Sequence, residues 1–365
     1  MSLTATVIDD EAGLEEIRPA WDALAITTGE PYCAPGWMLS WWRHARPNGA
    51  ALRVVVVSDE SQIVGLAPLW TSRPGRRSSA YGFLTDKFSP PVGPLATPGC
   101  EDEVAEAIAR ALATVTPVPI RIALWTRTPP SGIAGAFARS WPGHRSWVHA
   151  QAPTPIPIVP LDGLDYDAWF ATRSSKFRQE SRRMRRRIED EGAEFQLVGR
   201  SGIARAVNAF VRLHGDRWQG ASGALVPGLP QMLEAAADDL HEDGRLRIFT
   251  ITVEDAVIAV NVIVAAGRTA SGWNSGFDPD WARFSPSMLL TLHAIGDAAE
   301  RGDARFSLGP GEGGYKRRLT DSQEEWMKVT TLARRGAYPV RRLAIEGGER
   351  ARALKRALAR AVRRR

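Results

Sequence analysis

TASGWNSGF (269–277), SPSMLLTLHAIGDAAERG (285–302) and ARFSLGPGEGGYKRRLT (304–320) follow one another late in the chain. The first and third read as strands. The second reads as a helix with Ser285 at the N-cap and Pro286 at the first helical position. A strand, a helix and a strand in that order make this an α/β unit. The glycines of the third stretch then need an explanation. Gly309, Gly311 and Gly314 spell G-x-G-x-x-G, but a dinucleotide loop needs a packed helix after it and an acid about 20 residues on. YKRRLTDSQEEW offers no apolar stripe, Arg334–Gly336 stands where the acid belongs, and Pro310 splits the first two glycines. No G-x-x-x-x-G-K-[ST] occurs either. The glycines instead end a strand, beside Glu312, Tyr315, Lys316 and Arg317. Open α/β sheets place ligands at such edges.

The same order of elements recurs upstream. LRVVVVSDESQIVGLAPLW (52–70) is a hairpin signal, EDEVAEAIARALATV (101–115) a helix with acids in its first turn, and PIRIALW (119–125) a strand. In the second half, LRIFTITVEDAVIAVNVIVAAG (246–267) is again a hairpin. Residues 17–47 read as helices broken at Pro31 and Pro35. QAPTPIPIVPLDG (151–163) reads as an extended crossover. SSKFRQESRRMRRRIEDEG (174–192) is a charged helix with a narrow apolar stripe, Phe177, Met184 and Ile188. The expectation is two related α/β lobes, 1–150 and 151–335, each a mixed sheet flanked by helices, and a basic helical tail, 336–365.

With 365 residues, 44% hydrophobic and 24% charged, the chain is long enough for two lobes of ordinary globular composition. Arg341–Arg365 holds ten basic and two acidic side chains, a surplus that exceeds the whole net charge of +6. The rest is mildly acidic, so the basic character belongs to the tail. That tail is either a solvated appendage or a contact for tRNA or another anionic surface. Two cysteines, Cys33 and Cys100, offer no paired-ligand spacing, and no metal constellation is visible. The acidic N-terminus lacks a signal-peptide core and no run approaches a transmembrane segment, so a cytoplasmic protein is expected.

NSGFDPDWARFSPSMLLTLHAIGDAAERGDARFSLGPGEGGYKRRL (274–319) resembles the C-terminal signature of the CelD-like (cellulose-biosynthesis-type) acetyltransferase family of the GNAT superfamily. That signature has a Phe-Asp pair, an aromatic-Ser-Pro-Gly before a helix, a strand ending in Gly, and a Tyr-Lys pair. The Arg-rich helix and the stretch AWDALAITTGEPYCAPGWMLSWW (20–42) are similar to earlier parts of the family, so the resemblance spans about residues 17–332. Ser287 stands where the family often has Gly, and Ser307 where Asp is common. The resemblance implies two GNAT-like lobes, as in Fem-type aminoacyltransferases, and acyl transfer from acyl-CoA, usually acetyl-CoA, to an amine. It implies a cofactor cradle at Phe284, Ser285, Ser287, Met288 and Lys316.

The chemistry of amine acylation points to further residues. The amine must lose a proton, an oxyanion needs donors, and the leaving thiolate can take an acid. Tyr315 is the candidate acid, with Glu312 and Asp278 the candidate bases. His214, Trp218, Trp273 and Asn274 are candidates for an acceptor pocket suited to a small amine or amino sugar. The first N–H groups of the helix after Ser285 lack internal partners and suit a phosphate. No G-x-S-x-G elbow is present, which fits direct attack by a bound amine. Two other readings remain open on the residues. One is an aminoacyl-tRNA donor, tracked by the Arg-rich helix and the tail. The other is a non-catalytic binding module on the same fold.

Overall fold

The alternation of β-branched and apolar residues in the expected hairpins puts one set of side chains on each face of a sheet. A computed structural model describes residues 3–72, 78–89, 91–140, 146–218, 224–311, 313–334, 338–348 and 351. The first half runs β1 (Leu3–Ile8), α1 (Glu11–Thr28), α2 (Pro35–Ala45), β2 (Ala51–Leu52), β3 (Val54–Asp59), β4 (Gln62–Ala67), β5 (Leu69–Thr71), β6 (Ser78–Phe83), β7 (Leu95–Ala96), α3 (Glu101–Thr114), β8 (Val118–Arg127), α4 (Gly132–Ser140) and β9 (Ser146–Ala150). The second runs β10 (Thr154–Pro160), α5 (Tyr166–Ala171), α6 (Ser175–Asp190), β11 (Glu194–Leu197), α7 (Ile203–Trp218), α8 (Leu229–Leu240), β12 (Leu246–Val253), β13 (Ala256–Ala266), β14 (Thr269–Phe277), α9 (Pro286–Glu300), β15 (Arg305–Ser307), α10 (Lys316–Leu319) and β16 (Gln323–Ala333).

The two halves repeat one device. In the first, β6 and β8 pair in parallel, with α3 between them in sequence. In the second, β14 and β15 pair in parallel, with α9 between them. The strands join into one long mixed sheet in the order β11-β12-β13-β14-β15-β10-β16-β8-β6-β5-β2, while β1-β3-β4-β7 form a second sheet. The α/β class with helices flanking mixed sheets is therefore what the chain adopts. The last strand, β16, pairs with β8 of the first half and with β10 of the second, so the sheet is continuous across both.

β10, whose stretch reads as an extended crossover in the sequence, carries Pro155, Pro157 and Pro160, which cannot donate to a ladder. It is instead a central strand. Its prolines contribute carbonyls: Pro157 O accepts from Leu308 N at 3.0 Å and Pro155 O from Gly311 N at 3.0 Å. This ties the glycine loop after β15 to β10.

Side chains of β13 alternate between two cores. Val260, Val262 and Val264 join Trp21, Trp37, Phe210 and Leu233 on one face. Ile263 and Ala265 join Trp169, Phe177, Phe249 and Phe306 on the other. Both faces are covered, which explains the nearly unbroken apolar run in this strand. The first core draws on both halves, because α2 packs directly on α8. A Cβ at Gly36 of α2 would lie 2.8 Å from Asp239 Cβ, so only glycine allows this approach. Arg245 adds a bond to Asp22 of α1 at 2.6 Å. The apolar stripe of α6 is buried as expected, with Ser181 buried beside Phe177, Met184 and Ile188. Cys33 and Cys100 are free thiols. Among the described residues no helix is long and apolar enough to cross a membrane. Of the basic tail, residues 338–348 are helical, and Arg352–Arg365 lies outside the described residues.

Candidate active site

The parallel pair β14–β15 lasts only three residues, Thr269–Ser271 against Arg305–Ser307. Beyond it the strands part. Gly272 and Gly309 stand at the fork, and Gly309 takes a left-handed φ of 72°, which favours glycine. Pairing of β14 with β13 also slips between Asn274 and Gly272, leaving Trp273 as the extra residue of a bulge. A bulge bends its strand and re-aims its side chains. The fork opens a cavity of about 700 Å³, within the range of small-molecule sites. Its walls come from both halves: Tyr32, Phe88 and Ser89 on one side, and β14, α7, the first turn of α9 and the glycine loop on the other.

Ser285 occupies the N-cap position of α9 but does not cap it. Its backbone is left-handed, φ 52° and ψ 52°, and its side chain makes no capping hydrogen bond. The expectation of a capping hydroxyl is thus corrected. Ser285 is also the C-cap of the preceding 3-10 turn, Pro279–Phe284, its N–H donating to Ala282 O, so it ends one turn and opens the helix in this strained conformation. The consequence matters for the site: the serine hydroxyl is not committed to α9. Ser287 lines the same cavity, and its Oγ is buried without a hydrogen-bond partner. Pro286 has no N–H, so Ser287 carries the first free amide of the helix. Met288, buried at the cavity wall, completes the turn.

Phe284, expected in the cofactor cradle, does not line the cavity. It is a core residue, with Trp281 at 5.7 Å between ring centroids and Arg283 over its face at 4.6 Å. Asp278 is likewise not a wall residue. Its carboxylate accepts from Asp280 N at 3.0 Å and caps the 3-10 turn, a local role that removes it from the candidate bases. Glu312 and the side chain of Trp218 lie outside the described residues.

Lys316 lies at the cavity, folded back on the glycine loop. Its Nζ donates to Gly309 O at 3.0 Å and to Pro310 O at 3.1 Å. Burial pulls its ammonium down to about 8. Lys316 is therefore a clamp on the loop as well as a charge facing the cavity. Beside it, Tyr315 lines the wall, exposed over 39% of its surface. The one-turn helix α10 that follows is pinned to α6, where Arg318 pairs with Glu180 and lies 4.7 Å over the Phe177 ring.

His214 is 2% exposed and reaches the cavity from α7. Its Nδ1 lies 3.0 Å from Ser275 O. A carbonyl only accepts, so Nδ1 carries the hydrogen and a neutral ring leaves Nε2 as the acceptor. Gly276 makes this contact feasible, because α7 passes over β14 with no room for a Cβ. Asn274 lines the cavity from the bulged strand. Trp273 does so too, but it also bridges the halves: its Nε1 donates to Phe88 O at 3.1 Å, and it packs on Trp37, Phe88 and Phe210.

Sequence reasoning missed several lining residues, Tyr32, Asn261 and Ser89 among them. Tyr32 enters from the first half, its hydroxyl 3.0 Å from Ser271 Oγ, with burial driving the phenol well above its ordinary pKa. Asn261 is 6% exposed and lines the cavity. Its signal was legible: it is the one polar residue in the apolar run of β13. Ser89 also faces the cavity, and accepts from Trp37 Nε1 at 2.8 Å. Among the described lining residues there is no carboxylate. The polar groups that converge there are hydroxyls, amides, one imidazole and two cations.

Residues 175–317 match the model of a family described as an acetyltransferase (GNAT) domain, so the class of protein this domain defines is an acyltransferase. The match takes in α6 through the first residues of α10, and so the whole fork. No curated protein matches the chain in sequence. Solved structures share the fold across both halves. FemX is similar at 12% identity and a TM-score of 0.61, over 85% of this chain and 95% of its own. The C-terminal domain attributed to a lysylphosphatidylglycerol synthetase of Agrobacterium fabrum is similar at 13% identity and 0.56, over 88% and 92%. A conserved Bacteroides thetaiotaomicron protein of unknown function gives 12% and 0.54, over 89% and 99%.

Proposed function

We propose that the fork cavity transfers an acyl group from acyl-CoA, acetyl in the simplest case, to an amine on a small molecule. The observation that carries this reading is the parting of β14 and β15 beneath the first turn of α9, with the unpartnered Ser287 Oγ at that turn. Met288 N and Leu289 N donate to Ser285 O, so the Ser287 amide and the helix dipole are what suit a phosphate of the donor there, with the Ser285 and Ser287 hydroxyls as added donors. The acceptor binds at the other end, among Tyr32, Phe88, Trp273, Asn274 and His214. Aromatic walls with hydroxyl and amide groups suit an amino sugar or a similar polar amine. The CelD-like motifs Phe277-Asp278, Phe284-Ser285-Pro286 and Tyr315-Lys316 support the same assignment. The division into lobes 1–150 and 151–335, with a basic tail after them, is part of this proposal.

In the reaction the amine nitrogen attacks the thioester carbonyl and a C–N bond forms. His214 Nε2 takes the proton that the nitrogen sheds. Amides of the bulged strand and the charge of Lys316 face the oxyanion. Collapse breaks the C–S bond, and the thiolate takes a proton from the Tyr315 hydroxyl. His214 lines the cavity while the Asp278 carboxylate caps a turn, which supports His214 over Asp278 as base.

A second reading uses aminoacyl-tRNA as donor. Likeness to FemX over both halves favours keeping it. One experiment separates the two. Acetyl-CoA and a charged tRNA pool are each offered with a panel of amines, and thermal shift and product formation are recorded. Stabilisation by acetyl-CoA with thiol release on adding an amine is the expected result. Transfer from charged tRNA alone favours the second reading. No response to either donor leaves a binding module and overturns both. Loss of tRNA binding on deleting residues 341–365 would report tail contact, not donor use.

A further inference from the structure

A second cavity lies away from the fork, on the sheet face that α5, α6 and α9 cover. It is a groove of about 640 Å³ between α6 and α9. Phe249 of β12 and Phe170 of α5 supply an aromatic floor, and Leu289 and Leu292 of α9 an aliphatic wall. Its deep polar groups are neutral. Burial and the charge of Arg185 push the His293 imidazole down, and burial lifts the Tyr166 phenol to about 12. Ser181 is 3% exposed, and its Oγ has no hydrogen-bond partner. A buried hydroxyl left unpaired costs about 1–3 kcal/mol, so native folds rarely keep one without a reason.

The rim is charged, but not in the manner of a helix that satisfies itself. Arg185 pairs with Glu189 and sits 3.5 Å over the Phe195 ring. Arg182 and Arg186 make no ion pair among the described residues, although both border the groove and are exposed; Arg182 lies 5.6 Å over the Phe170 ring. Residues 175–190 carry seven basic and three acidic side chains. Asp297, on the far wall, already serves Arg247 and Arg301. Asp167 and Glu300 are exposed at the rim and are the groups a cationic ligand would use.

We propose that the α6–α9 groove is a second small-molecule site, for an amphipathic anion. Its apolar acyl or aryl body lies on Phe170 and Phe249, and its carboxylate or phosphate is held by Arg182 and Arg186. The apolar groups of the groove give the body its burial, and two guanidiniums that make no ion pair among the described residues, Arg182 lying over the Phe170 ring, give the anion its donors. The ligand class follows from these groups and does not depend on the chemistry assigned to the fork.

The test is calorimetric titration of the full chain with octanoate, octyl phosphate and octylamine, each below its micelle concentration. Saturable one-to-one binding of an anion is expected, and whichever of octanoate and octyl phosphate binds tighter identifies the head group. The double variant Arg182→Glu/Arg186→Glu should weaken that binding at least tenfold. Gly296→Phe should abolish it, because a Cβ at Gly296 already points at the Tyr166 ring, 3.6 Å away. Octylamine binding tighter than either anion overturns the proposal. So does anion binding that is unsaturable, or that survives both variants.

Discussion

Gly276→Ala tests how the fold delivers His214 to the cavity. A Cβ at Gly276 would lie 2.8 Å from His214 N, 3.0 Å from Leu213 Cβ and 3.1 Å from the Leu213 carbonyl carbon. Ordinary carbon contacts begin near ~3.5 Å, so the overlap is about half an ångström against three atoms. Two of the three are backbone atoms of α7, which no rotamer change can move. The helix must retreat from β14, yet Leu213 and Phe210 on it are held in the first core with Leu233 of α8. Overpacking of this kind costs about 1–3 kcal/mol. At about 2–4 °C per kcal/mol for a large domain, the melting temperature should fall by roughly 2–12 °C. The bond from Nδ1 to Ser275 O, now 3.0 Å, would stretch or break. A misplacement of about 1 Å at a catalytic group costs on the order of 100-fold in rate. The expected signature is a fall in kcat with the KM for acyl-CoA unchanged, since α9 is untouched. Gly199→Ala is the control, because its Cβ would meet open space at an ordinary φ of −74°. Thermal scans and thiol-release kinetics on both variants decide the matter. A Gly276→Ala protein with unchanged melting temperature and kcat would refute the claim that this close approach fixes His214.

Tyr315→Phe should slow turnover with little change in acyl-CoA affinity, and unchanged turnover removes Tyr315 from the mechanism. Lys316 gives a pH dependence of stability. Its folded pKa, about 8, lies below the 10.5 of a free lysine, so the unfolded chain binds the proton more tightly. Its contribution is therefore full above about 10.5 and is lost as pH falls through 8; denaturation curves of Lys316→Met should lack this slope. Arg247→Met should cost about 3–5 kcal/mol in urea unfolding, because Asp303, 5% exposed, would lose its partner at 2.8 Å. A loss under 1 kcal/mol would mean that water reaches the abandoned carboxylate.

Much of the fold was legible because local rules and tertiary demands agreed. The hairpin β12–β13 shows β-branched runs around a two-residue turn at Glu254 and Asp255, both of which adopt positive φ. Pro286 marks the first turn of α9, and the stripe of α6 is buried where its spacing put it. β10 was misread because its prolines argue against a strand. Neighbours that accept no donor there, and that donate to Pro155 and Pro157 carbonyls, are invisible until the chain folds. β16 carried no expectation of its own, since its charged start hides a strand that two halves share.

For the site, the sequence determined which chemical groups were on hand near the end of the last parallel strand: the glycine turn, Tyr315, Lys316 and the serines around Pro286. These are neighbours in the chain, so their proximity needs only local geometry. The tertiary structure decided which of them face one space. It turned Phe284 into the core and gave Asp278 a turn to cap. It left Ser285 uncommitted by forcing a left-handed backbone, and pressed α7 against Gly276 so that His214 meets β14. It also brought Tyr32 within 3.0 Å of Ser271, a contact spanning 239 residues. Contacts at such separation depend on the shared packing of many elements, and no local pattern in the sequence encodes them.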